Sequence, residues 1–223
     1  MKMVYREEFL KDSVKTLGEI LDSFEKLPIC HLKDLQGKHT VFVMVDMVNG
    51  FAREGALKST RVENLIPVIS ALSMKCDELK IPKLAFADCH TSESPEFDAY
   101  PAHCLKGTHE GEIVDEIKEI GGYTLIPKNS TNGFLEEKFQ NWLNENKEIN
   151  TFIVAGDCTD ICIQQFTITL KTYFNQQNRW SSIIVPANAV ETYDLGQHNG
   201  DLMHVFALYN MQINGIEIVR GAE

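Results

Sequence analysis

Four residue types that can do chemistry stand directly after apolar stretches of this chain. Asp46 follows Val41–Val45, and Asp88 and His90 follow the run at 83–87. Lys128 follows the run at 123–127. Gly156-Asp157-Cys158-Thr159-Asp160-Ile161-Cys162 follows the run at 151–155 and opens a helical pattern. Cys162 falls in the first turn of that predicted helix, where unpaired N–H groups and the positive dipole end favour a thiolate. Thr159 or Asp160 could cap the helix. A nucleophilic cysteine needs a base, and Asp46 is a candidate to take the thiol proton. Lys128 could lower the pKa of its neighbours and hold an anionic site together. The N–H groups of Cys158 and Cys162 could together hold an oxyanion, donors worth roughly 3–4 kcal/mol when lost. On position alone, a nucleophile and a buried helix cysteine fit Cys162 equally well.

The elements that must position these residues are legible in the apolar pattern. Short β-branched runs recur at 41–45, 83–87, 123–127, 151–155, 182–186 and 215–219. Helical patterns separate them at about 62–80, 111–120, 135–147, 160–174 and 198–212. Near-continuous apolar strands alternating with helices predict an α/β fold: a single doubly wound domain with a six-stranded parallel sheet covered by helices on both faces. Ligands of such sheets bind beyond the carboxyl ends of the strands, which is where the four groups fall. Ahead of the first strand, Leu10, Val14, Leu17, Leu21 and Phe24 recur at helical spacing over 8–26. That stretch is expected to be an N-terminal helical extension, residues 1–38, before a main domain at 39–223. Packing on the sheet is the favoured role for its apolar stripe, ahead of a dimer contact or a flap.

Composition narrows the partners. The 223 residues carry 21 Lys and Arg against 32 Asp and Glu, a net charge of −11. Such a chain is a poor ligand for nucleic acid or an anionic membrane, because phosphate binding needs clustered cations. Positions 1–30 are studded with charges rather than built as a secretory leader. No apolar run reaches the ~18 residues of a membrane span. A cytoplasmic protein is expected, with its six cysteines reduced. A small molecule is the expected partner, and self-association into a homo-oligomer is left open.

Taken together the blocks resemble the isochorismatase-like cysteine hydrolases, and within them the nicotinamidases, over about residues 39–220. Asp46-Met47-Val48-Asn49-Gly50-Phe51 is the first block. Asp88-Cys89-His90 with Tyr100-Pro101-Ala102-His103-Cys104 is the second. Lys128 with Phe134 is the third, and Gly156 to Cys162, matching G-x-x-T-D-x-C, is the fourth. The resemblance implies an Asp46–Lys128–Cys162 triad, a cis peptide before Cys158, and hydrolysis of a small carboxamide such as nicotinamide through a thioester. It also implies one divalent metal ion (zinc, manganese or iron) held by Asp88, His90, Glu96 and His103, with Phe51 and Tyr100 placed around the substrate. Two imidazoles with carboxylates suit such an ion. A structural zinc site built from Cys89, His90, His103 and Cys104 is disfavoured, because strand alternation turns Cys89 away from Asp88 and His90. His109, His198 and His204 are expected to be structural or surface residues.

The chain departs from the family pattern in places. Val48 stands where many members have Gln, Gly50 where many have Asp, and Ile161 where some nicotinamidases have His. The segment Asn129-Ser130-Thr131-Asn132-Gly133 replaces a commoner Ser-Ala ending before Phe134. These positions are expected to reshape the pocket rim and leave the triad and metal set intact.

Overall fold

The computed structural model describes residues 5–37 and 39–223. Met1–Val4 and Lys38, on which the expected 38/39 boundary falls, lie outside the described residues. The strands in chain order are β1 (Ile29–Cys30), β2 (Thr40–Val45), β3 (Lys83–Asp88), β4 (Tyr123–Lys128), β5 (Thr151–Asp157), β6 (Ser182–Pro186), β7 (Val190–Glu191), β8 (Glu217–Val219) and β9 (Gly221–Ala222). The main sheet runs β4-β3-β2-β5-β6-β8, all parallel, with short β7 added beside the end of β5. It therefore has seven strands, six of them at the expected positions. The seventh, β7, is two residues long, too short to leave a run in the sequence.

Helices α1 (Arg6–Phe24), α2 (Asn49–Ala52), α3 (Thr60–Glu63), α4 (Ile66–Leu79), α5 (Asp115–Ile120), α6 (Glu137–Glu145), α7 (Gln164–Gln176) and α8 (Gly200–Ile213) complete the fold. Alternation along the strands divides the core in two. Val41, Val43, Val45, Phe152 and Val154 face Phe139, Phe166, Leu170, Leu208 and Met211 of α6, α7 and α8. Phe42, Met44, Ile153 and Ala155 face Ile69, Leu72, Cys76 and Ile117 of α4 and α5. The expected helix at 62–80 is split into α3 and α4, with Pro67 in the first turn of α4. Proline is tolerated there because that N–H would have no partner within the helix.

The extension departs from expectation. Helix α1 is present, but Val14 is 72% exposed and Leu21 49%, and Ile20 is its one residue buried in the core. Phe24 reaches the core beneath α7 and α8. The helix therefore leans on the domain by its C-terminal turn instead of packing along the sheet. Behind it, β1 pairs with β9, tying this segment to the chain's far end. No described helix is long and apolar enough to cross a membrane.

The central strands end side by side where the site is built. The β2 ladder runs to Val45 opposite Gly156. A side chain at Gly156, φ 121°, would place its Cβ 1.9 Å from the Val45 carbonyl oxygen, so only glycine allows this approach. Asp46 follows with φ 56°, a left-handed conformation that aspartate tolerates better than most residues.

Candidate active site

Three strand ends deliver the buried charges. Asp46 leaves β2 and is fully buried, Asp88 ends β3, and Lys128 ends β4 opposite Asp88 in register. The Lys128 ammonium lies 2.8 Å from Asp46 Oδ2 and is also hydrogen-bonded to Asp88 Oδ1. Its Nζ is 3.7 Å from Cys162 Sγ. Acid, cation and thiol expected from the sequence therefore meet at one point under the floor of a cleft.

Cys162 sits in a single π turn, Thr159–Ile163, that feeds α7. The expected caps are not formed. Thr159 Oγ1 is 3.0 Å from His204 Nδ1, and the Asp160 carboxylate is 2.8 Å from His198 Nε2. Both side chains are drawn toward α8 and the loop before it, and Cys158 holds the cap position without a side-chain bond. The peptide between Asp157 and Cys158 is cis, as the resemblance implied.

Burial governs the electrostatics. It pushes the Cys162 thiol well above its ordinary range, against the opposing pull of Lys128. The pull of the helix end toward a thiolate is thus overridden, because a fully desolvated sulfur beside the Asp46 and Asp88 carboxyls holds its proton. Burial also raises the Asp46 carboxyl to about 7, with the Asp88 charge adding to this and Lys128 opposing it. At Asp88 burial is outweighed by Lys128 and the two neighbouring imidazoles, and the carboxyl is held below the usual carboxylate range. Lys128 stays protonated, since the flanking Asp46 and Asp88 outweigh its own desolvation. One cation thus neutralises one carboxylate fully and leaves the second titrating near neutrality beside a neutral thiol.

A second cluster adjoins the first. Ligand atoms of Asp88, His90 and His103 all lie within 4.8 Å of one another. Asp88 Oδ2 is 3.3 Å from His90 Nε2 and 3.4 Å from His103 Nε2. The His103 Nδ1–H donates to the Pro101 carbonyl at 2.8 Å, which turns the Nε2 lone pair inward, the usual outer support of a metal-bound imidazole. His90 Nε2 and Glu96 Oε2 are buried without a hydrogen-bond partner among the described residues, 3.8 Å apart. Orphaned buried acceptors of this kind carry a desolvation cost that a cation would remove. The donor set fits a divalent metal ion. Glu96 lies at its edge, fixed by the Thr131 N–H at 2.8 Å, so the unusual segment after Lys128 serves to hold a carboxylate. Cys89 and Cys104 stand outside the group, which excludes the four-residue cysteine–histidine site.

The cleft above both clusters encloses about 440 Å³ including its mouth and is lined by Phe51, Tyr100, Glu96, His103, Cys158 and Cys162, among others. Phe51 and Tyr100 both flank the His103 ring, with centroids 5.5 Å and 6.3 Å from it. Gly50 is explained by its neighbour: a Cβ there would come within 2.6 Å of the Cys104 sulfur. Thr131, from the segment expected at the pocket rim, lines the cleft, and so do Leu57, Val62, Asp157 and Tyr193, which the sequence did not single out. Tyr193 stacks on His198 at 4.1 Å and 8°, and His198 is in turn held by Asp160 and by the Tyr193 carbonyl at 2.9 Å. The T-D pair before Cys162 could have signalled this partner; the loop at 190–199 has no periodic pattern to mark it.

Comparison with known proteins agrees with this geometry. Residues 40–217 match the isochorismatase domain family. The chain is 30% identical to Nicotinamidase 1 of Arabidopsis thaliana, over 79% of this chain and 84% of that protein. Among solved structures, N-carbamoylsarcosine amidase from Thermoplasma acidophilum superposes with a TM-score of 0.66 at 23% identity, covering 81% of this chain and 95% of that one. The pyrazinamidase of Pyrococcus horikoshii in complex with zinc superposes with a TM-score of 0.67 at 21% identity, covering 81% and 98%.

Proposed function

The chain belongs to the isochorismatase family of hydrolases, and we propose that it is a metal-dependent cysteine amidohydrolase. Its substrate in this reading is nicotinamide or a closely related small carboxamide, converted to the acid and ammonia. One observation carries the reading: the Cys162 sulfur lies 3.7 Å from Lys128, whose ammonium is 2.8 Å from the fully buried Asp46, in a cleft that also borders the Asp88–His90–His103 group.

The chemistry follows from the resting protonation states. The thiol is neutral and Asp46 titrates near 7, so a carboxylate at Asp46 takes the thiol proton as Cys162 attacks the carboxamide carbon. The N–H groups of Cys158 and Cys162 hold the developing oxyanion. Asp46 then passes its proton to the departing amine, ammonia leaves, and a thioester remains. Water, deprotonated by the same carboxylate, cleaves the thioester and restores the thiol. Lys128 holds Asp46 in place throughout and offsets the negative charge. Asp88, His90 and His103, with Glu96 beside them, would hold a divalent ion that supplies a Lewis-acidic contact for the substrate's ring nitrogen. Phe51 and Tyr100 present faces for a flat ring.

The test is ammonia release from nicotinamide by the purified protein, before and after chelation and with zinc, manganese or iron returned. Release that stops on chelation, recovers with metal, and is abolished in a folded Cys162→Ala variant is the expected result. Ammonia released by Cys162→Ala overturns the mechanism. No release from nicotinamide by metal-loaded protein overturns the substrate, and release from an N-carbamoyl compound then points to the metal-free branch of the family.

A further inference from the structure

Asp157 is a carboxyl buried where none of the steps above uses it. It ends β5 and is fully buried, and it lines the cleft. Alternation places it on the face of Ile153 and Ala155, toward α4. Phe51 and Val62 belong to that same side of the core and also line the cleft. Oδ2 accepts the Cys158 thiol at 3.5 Å, while Oδ1 has no hydrogen-bond partner among the described residues. A buried oxygen left unmatched is destabilising, a cost that a ligand atom would relieve. The family pattern G-x-x-T-D-x-C leaves this position unspecified, so it can be set by each member's substrate.

We propose that Asp157 is a specificity-determining residue, its Oδ1 meeting a hydrogen-bond acceptor on the substrate ring at the side remote from the Asp88–His90–His103 group. Sheet order gives the placement. Asp88 ends β3 and Asp157 ends β5, with β2 and its Asp46 between them. Two strand spacings separate them by about 10 Å, a gap suited to one six-membered ring held by a contact at each edge. Burial pushes the Asp157 carboxyl well above the usual carboxylate range, with the Asp46 charge adding to it. It is therefore a neutral acid with an O–H to donate, and it matches a lone pair. Nicotinamide has one ring nitrogen. Pyrazinamide has two, on opposite sides of the ring, so that with one directed at Asp88 the other faces Asp157.

The inference rests on the amidase reading, and the experiment separates the two. The ratio of kcat/KM for pyrazinamide to that for nicotinamide is measured in the wild type, Asp157→Asn and Asp157→Val. Intrinsic reactivity differences cancel when ratios are compared between proteins. The expected ratio falls about 5–50-fold in Asp157→Val, as one buried hydrogen bond is lost, and stays within about threefold in Asp157→Asn, whose amide still donates. Asp157→Ala serves where Asp157→Val does not fold. The same ratio is read as dissociation constants in the Cys162→Ala background, so a failure of turnover does not hide it. An unchanged ratio in a folded Asp157→Val or Asp157→Ala protein, or equal loss on both amides, overturns the assignment.

Discussion

Replacing Lys128 with Met tests the electrostatic core of the site. Lys128 is fully buried and is the cation for two buried carboxylates, Asp46 at 2.8 Å and Asp88 in direct hydrogen bond. Removing one partner of a buried ion pair costs about 3–5 kcal/mol, because the other charge is left uncompensated. Here two are left, and the upper end of that range is expected near pH 8. Without the ammonium, burial and mutual repulsion raise both carboxyls, including Asp88, which Lys128 and the imidazoles hold low in the wild type. A carboxyl whose folded pKa is raised stabilises the protein at low pH and loses that contribution as pH rises through the folded value. The deficit of Lys128→Met should therefore shrink as pH falls, by about 1.4 kcal/mol per pH unit for each extra proton held. Urea unfolding of chelator-treated wild type and variant at pH 5 and pH 8 reads this directly. Activity should fall about 10²–10⁴-fold at pH 7, the usual worth of a positioned general base. A deficit below about 1 kcal/mol, or one equal at both pH values, would refute the argument that this lysine compensates two buried anions.

Three further outcomes follow from the same geometry. In the proposed mechanism Asp46 must be ionised to accept the thiol proton, and burial raises its carboxyl to about 7, so kcat/KM should rise with pH through an apparent pKa close to 7. Asp46→Asn should lose at least about 10²-fold and lose that titration, both read from pH–rate profiles. His103→Ala should weaken zinc binding by at least the roughly 10–100-fold that loss of a mere supporting hydrogen bond costs, measured by competition with a chromophoric chelator, while thermal stability stays near that of the chelated wild type. His198→Ala frees the Tyr193 ring that it stacks at 4.1 Å. KM for a ring amide should rise about 3–10-fold with kcat nearly unchanged, as expected when binding is lost equally from ground and transition states.

What could be read ahead of the structure divides along physical lines. Strands β2, β3 and β5 are buried on both faces, so each leaves a continuous apolar run, and the chemical residues stand out as the first polar groups after it. That pattern located Asp46 and Asp88 directly; Lys128 ends β4, which is partly exposed, and Cys162 lies on the helical turn beyond β5. Strand β7 and the loop at 190–199 left no such trace. Their order comes from long-range polar contacts: Arg61 reaching the Thr192 carbonyl at 3.0 Å and Glu191 at 2.9 Å, and Asp160 reaching His198 at 2.8 Å. Pairs 38 to 131 residues apart have no local period, and Tyr193 could be found only once the chain was folded. The resting thiol departs from the helix-end expectation for a related reason. A helix terminus is a local feature and favours the thiolate by a modest amount. Desolvation and the neighbouring Asp46 and Asp88 carboxyls are properties of the assembled fold, and they push the thiol's pKa up. The protonation state that results is the one the proposed mechanism requires, since a thiol that keeps its proton until a substrate arrives needs a base, the role proposed for Asp46.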